Sequence, residues 1–178
     1  MLNRELLEEK MADLPLYIYA YLDPKSLVYS EQIRWICENE CPMYGTSWAC
    51  PPAVGTVNEC KERCLKYENC LMISTISEVY DIANISETLK TRAPHEKVTN
   101  QVRDWMREQG VEPYVLSTES CAVCERCAVL DGEPCRRPER MHPCVESHGI
   151  NLLPVIEEYG LTFQYGENVV TWFSLLFF

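Results

Sequence analysis

Val169-Val170-Thr171-Trp172-Phe173-Ser174-Leu175-Leu176-Phe177-Phe178 is the longest apolar run in the chain. Ten residues of helix would rise only about 15 Å, half the hydrocarbon thickness of a bilayer. The run also carries Thr171 and Ser174. It therefore reads as a buried strand and not as a membrane span. The lesser alternative is an apolar interface, including a homo-oligomer formed through this C-terminal strand.

Three shorter stretches read as companion strands. Leu16 to Leu22 is aromatic and apolar and stops at Asp23-Pro24. Cys70 to Ser77 and Tyr114 to Ser117 follow the same pattern. Helices are expected between them. Residues 3–12 set Leu6, Leu7 and Met11 among charges. Ser30 to Glu38 starts with an N-capping serine and turns Ile33 and Ile36 inward. Thr56 and Glu59 form a capping box for a helix to about Tyr67. Residues 85–109 read as helical, interrupted at Pro94 and closed by Gly110. Residues 151–159 carry Pro154 in a first helical turn.

The order β-α-α-β-α-β-α-β predicts an α/β or α+β fold, with crossovers over a single small sheet of about four strands. The helices pack on that sheet, and two cysteine-rich loops break the alternation. Residues 1–178 are expected to be a single metal-binding domain, with no repeat or linker dividing them.

Charge narrows the function classes. The net charge is −11, which opposes neutralisation of phosphates, so no nucleic-acid partner is expected. The first ten residues lack the apolar core of a secretory signal, which together with the short C-terminal run points to a cytoplasmic protein and no membrane partner. Eleven cysteines in a reducing compartment read as metal ligands, because disulfides do not persist there. An odd number also cannot pair completely within one chain.

The second loop runs Cys121-Ala122-Val123-Cys124-Glu125-Arg126-Cys127, then Asp131-Gly132, then Cys135-Arg136-Arg137-Pro138. The spacing is C-x2-C-x2-C-x7-C. Three thiolates at two-residue gaps can wrap the corner of a cubane, and a more distant fourth closes the cage. Zinc sites more often use two separated C-x2-C pairs, so a [4Fe-4S] cluster on Cys121, Cys124, Cys127 and Cys135 is preferred and zinc is the alternative. Arg136 and Arg137 would either offset the centre's negative charge or serve as solvated surface charge.

The first loop offers Cys37, Cys41, Cys50 and Cys60 as a second ligand set. Cys37 and Cys41 are one helical turn apart, Gly45 permits a turn, and Pro51-Pro52 stiffens the exit. Cys60 sits on a helix, where a small buried thiol is equally at home, and Cys144 competes for the fourth position. Cys50 comes too late for the C-x3-C-x2-C run of radical-SAM enzymes. Cys64 and Cys70 read as core or free thiols. His142 and His148, flanking Cys144, read as a polar loop. There is no phosphate-binding glycine loop, dinucleotide fingerprint or H-E-x-x-H, and no catalytic residue is assigned.

Taken together, Cys37, Cys41, Tyr44-Gly45, Trp48 and Cys50-Pro51-Pro52 form one half of a pattern. Cys121, Cys124, Cys127, Cys135-Arg136, Pro138, Glu146 and Gly149-Ile150 form the other. The pair resembles the domain of unknown function 2284 family, described as predicted metal-binding proteins, over most of the chain from Leu14 onward. The resemblance implies metal binding and supplies no reaction. Three functions remain open. The first is an electron-transfer module with a redox partner that presents a basic docking surface. The second is a structural zinc module. The third is an enzyme with an open iron.

Overall fold

The computed structural model describes residues 2–160 and 166–178. The amino-terminal elements are α1 (Arg4–Met11), β1 (Ile18–Leu22), β2 (Val28–Tyr29), α2 (Glu31–Asn39) and α3 (Val57–Cys64). Next come β3 (Cys70–Glu78), α4 (Ile85–Lys90), α5 (Arg92–Glu108) and β4 (Tyr114–Leu116). The chain closes with β5 (Ile150–Asn151), α6 (Leu153–Glu158) and β6 (Val169–Phe177).

The C-terminal run is β6, and β3 pairs with it antiparallel from Cys70 opposite Phe177 to Glu78 opposite Val169. β1 adds to the outer edge of β3, and β4 pairs with the last residues of β6, giving the order β1-β3-β6-β4. Helices lie between the strands as their order predicts, but every ladder is antiparallel, so no helix crosses over between parallel neighbours. The single sheet of the sequence reading is joined by a second, two-stranded ladder between β2 and β5. Strands of two residues are too short to show an alternating pattern.

Alternate residues of β3 and β6 serve opposite faces, as a pleated strand requires. Cys70 and Met72 of β3, with Phe173, Leu175 and Phe177 of β6, pack with Cys64 of α3 and with Val155 and Ile156 of α6. Leu71, Ile73 and Leu176 face the other way, onto Val98, Val102 and Met106 of α5 and Leu7 and Met11 of α1. The sheet is thus a middle layer, and Cys64 and Cys70 are core residues, as expected.

Local signals hold at most helix ends. Ser30 caps α2 through the Gln32 N–H, and Thr56 and Glu59 complete their capping box. Gly110 follows α5 with φ +76°. Three readings change. The break between α4 and α5 falls at Thr91, and Pro94 lies in the first turn of α5, where its missing N–H has no helical partner to lose. α3 ends at Cys64, one turn earlier than Tyr67. On α2, Ile36 is 44% exposed while Arg34 is 5% exposed, so the helix turns its arginine inward.

A polar seam crosses the α5 face of the sheet. His95 is fully buried, with Nδ1 2.8 Å from the Thr75 hydroxyl and Nε2 2.8 Å from the Ser174 hydroxyl. Burial pushes its pKa down to about 4, against about 6.5 in an unfolded chain. Above about pH 6.5 both states are neutral. Between about pH 6.5 and 4 the unfolded chain takes up a proton that the folded one refuses. Stability should therefore fall with pH across that window by about 3 kcal/mol from this group. A His95→Gln protein is expected to lose that part of the slope, read from denaturant midpoints at about pH 7 and pH 4.

Candidate metal centre

The second cysteine loop is closed at its base. Ser117, just beyond β4, bridges Cys144 in parallel: the Ser117 N–H donates to Pro143 O at 2.8 Å and the Val145 N–H to Ser117 O at 3.1 Å. The residues between leave the sheet and return to the same point. Glu119 takes φ +57° at the exit. A short 3-10 turn, Ala128–Asp131, ends at Gly132 with φ +70°, which realises the expected Asp131-Gly132 turn. Asp131 ion-pairs with Arg126 at 2.7 Å.

This wrapping places all four late cysteines on one cavity. Cys121, Cys124, Cys127 and Cys135 line it together with Ser47, Met141, Arg136 and Arg137. Each of the four cysteines is half-buried. Burial, with Cys127 and Cys135 close by, raises the pKa of Cys121, while the Val123 N–H pointing at its sulfur lowers it. Among the described residues, no three His, Cys, Asp or Glu side chains are drawn close enough together to hold one ion.

The first loop begins where α2 ends. Cys37 lies in the last turn, and the Cys41 N–H still reaches back to Ile36 O at 3.2 Å. Gly45, with φ +69°, donates its N–H to Pro51 O at 2.8 Å, which folds the loop back on itself. Cys37, Cys41 and Cys50 are brought within electrostatic reach of one another. Burial pushes the Cys37 thiol up to about 11, with Cys41, Glu146 and Cys50 adding to the rise. Burial also raises Cys50, with Cys41 and Cys121 adding to the rise. Thiols held together in this way lose their protons readily only around a cation, so the donor chemistry fits a metal in both loops.

Cys60 and Cys144 are placed differently. Cys60 is fully buried on α3. Its thiol donates to Val54 O at 3.4 Å, while Arg34 Nη2 lies 3.7 Å and Arg63 Nη1 4.0 Å from the sulfur. The largest charged influences on Cys60 are these two guanidiniums. Cys144 feels both Glu146 and Cys50, and its sulfur accepts the Ser147 N–H at 3.2 Å. Burial holds its pKa well above the usual thiol range.

Sequence reasoning missed Arg34. Its guanidinium donates to Gly55 O at 2.7 Å and to Ser147 O at 2.5 Å, tying α2 to the start of α3 and to the segment after Cys144. No local pattern marks an arginine that will be buried. Gly149 completes this junction. A Cβ there would meet Ser30 O and the Val57 side chain at 3.0 Å, and its φ is +69°, so only glycine fits.

The two flanking histidines are both engaged in contacts with the protein. The Ser147 hydroxyl donates to Cys144 O at 2.6 Å and accepts from His148 Nδ1 at 3.1 Å. His148 Nε2 is left to accept the Tyr114 hydroxyl at 2.7 Å. Burial, with Arg63 and Arg34 nearby, pushes the His148 pKa down to about 3, so the ring is neutral. His142 lies 3.1 Å from Asn100 Oδ1 and 3.0 Å from Arg103 Nη1.

The loops meet. Trp48 of the first donates its indole N–H to Glu133 O of the second at 3.0 Å, and Ser47 lines the second loop's cavity. Trp172 is buried, and Trp35 is 52% exposed.

Among the described residues, no helix is long and apolar enough to cross a membrane. No curated protein and no solved structure matches the chain. A family model described as "Predicted metal-binding protein (DUF2284)" matches residues 20–178. That span contains every cysteine and the junction that joins the two loops, and the chain belongs to this family of predicted metal-binding proteins.

Proposed function

We propose that this is an iron–sulfur protein that passes electrons to a partner protein from a [4Fe-4S] centre on Cys121, Cys124, Cys127 and Cys135. The observation that carries the reading is the single cavity lined by these four thiols. Soft thiolates select iron–sulfur clusters or zinc. A lone zinc ion needs all four sulfurs at about 2.3 Å from one point, which would require the loop to contract. A cluster spreads its ligands over separate irons and does not require the sulfurs to converge on one point. Such a centre, when bound, supplies one-electron chemistry. The chain's own part is to aim backbone N–H groups at sulfur, as Val123 does, and to set Arg136 and Arg137 beside the thiolates.

The four cysteines are half-buried, which supports a centre near enough to the surface for a partner to approach. The net charge of −11 favours a partner with a basic face. All eleven cysteines are free thiols, which suits a reducing cytoplasm. A second centre is proposed on Cys37, Cys41 and Cys50. For its fourth ligand the surroundings favour Cys144 over Cys60, because Cys144 shares its field with Cys50 while Cys60 faces two arginines.

Anaerobic purification followed by absorbance and by iron, sulfide and zinc analysis tests the reading. A brown protein with a broad violet band and matching iron and sulfide is expected. A colourless protein with full zinc would leave a structural zinc module in its place.

A further inference from the structure

A cavity of about 590 Å³ lies between α5 and the second cysteine loop, within the usual size of small-molecule sites. One stripe of α5 forms its wall, because Arg92, Glu96, Asn100 and Arg103 follow one another at helical spacing. Lys97 and Arg140 complete the polar lining. Four cations thus face one acid in a protein whose net charge is −11.

The acid is already engaged. Glu96 Oε1 accepts the Ser117 hydroxyl at 2.7 Å and lies 3.5 Å from Arg92 Nη2. Arg103 is held by Asp104 at 2.8 Å. Lys97 and Arg140 form no salt bridge among the described residues. The Arg92 guanidinium, which lines the cavity, makes a single long ion pair there, to Glu96 at 3.5 Å, so its terminal N–H groups keep donor capacity for an oxygen anion.

The opposite wall is Ala122 and Val123, the two residues between Cys121 and Cys124. An occupant held by Arg92 would therefore sit beside the metal-binding thiols.

We infer that this cavity is a binding site for a small oxyanion, a phosphate or carboxylate, held by Arg92, Lys97 and Arg140 next to the second cysteine loop. The inference goes beyond the electron-transfer reading and stands whether the thiols hold iron or zinc. Bidentate guanidinium–oxyanion pairing gives such a site its strength.

The protein as purified, with its metal, is titrated calorimetrically at fixed ionic strength with inorganic phosphate and separately with succinate. Saturable binding below about 10 mM of at least one probe is expected, and the probe that binds identifies the class. Arg92→Gln and Arg140→Gln should each weaken it by about tenfold. Arg126→Gln, whose side chain pairs with Asp131 outside the cavity, should leave it unchanged. Arg140 and Lys97 are exposed, so their variants carry the test even where Arg92→Gln fails to fold. No binding of either probe, or binding indifferent to Arg140→Gln and Lys97→Gln, overturns the inference.

Discussion

A Cys124→Ala protein purified without oxygen is expected to hold clearly less iron in its second-loop centre than the wild type, because the iron that Cys124 would hold is left open to solvent and exchange. Cys124 lies in the middle of the ligand run and is half-buried, so its removal leaves the sheet untouched. Far-ultraviolet circular dichroism should stay near wild type while iron, sulfide and the violet absorbance fall together. Retention of full metal in Cys124→Ala would remove the second loop from the reading. The first loop gives a sharper contrast. Cys144→Ala should strip metal from it, whereas Cys60→Ala should keep the metal and lose stability, since Cys60 is a fully buried core thiol. The reverse outcome would restore Cys60 as the ligand.

Arg34→Ala is expected to destabilise the fold by about 3–5 kcal/mol. The side chain makes charge-assisted hydrogen bonds to the Gly55 and Ser147 carbonyls, each worth about 1.5–3 kcal/mol. Truncation leaves both acceptors and the Cys60 sulfur without this donor in a buried space. The measurement is the urea midpoint of the metal-loaded protein. A second readout is specific to the site. Ser147 follows Cys144 by three residues, so loosening this junction should speed loss of first-loop metal to a chelator while second-loop metal stays. Arg34→Lys cannot reach both carbonyls with one fork and should recover little. A loss within about 0.5 kcal/mol, the range of ordinary surface substitutions, would show that the junction is held by something else.

These two sites differ in how legible they are in the amino-acid order. The second loop carries its candidate ligands within fifteen residues, and spacing alone proposes which sulfurs share a centre. In the fold these four thiols line one cavity. The first loop carries three of its thiols nearby, but the candidate fourth, Cys144, lies 94 residues beyond Cys50 and arrives through the Ser117–Cys144 bridge. A contact made by strand pairing leaves no periodic signal at either end.

Caps, turns and buried strands were readable because each depends on a few adjacent residues. Ser30 and Thr56 act through N–H groups two or three positions on, and the apolar ten-residue run could only be satisfied by burial between β3 and β4. Tertiary packing alone decided that the sheet is antiparallel throughout, that α2 buries Arg34 in place of Ile36, and that four cations gather around a cavity walled by Ala122 and Val123. The physical reason is range. Helix ends and ligand runs answer to neighbours in sequence, while a buried charge is stable only where distant carbonyls or an anion meet it, and those partners are supplied by the fold.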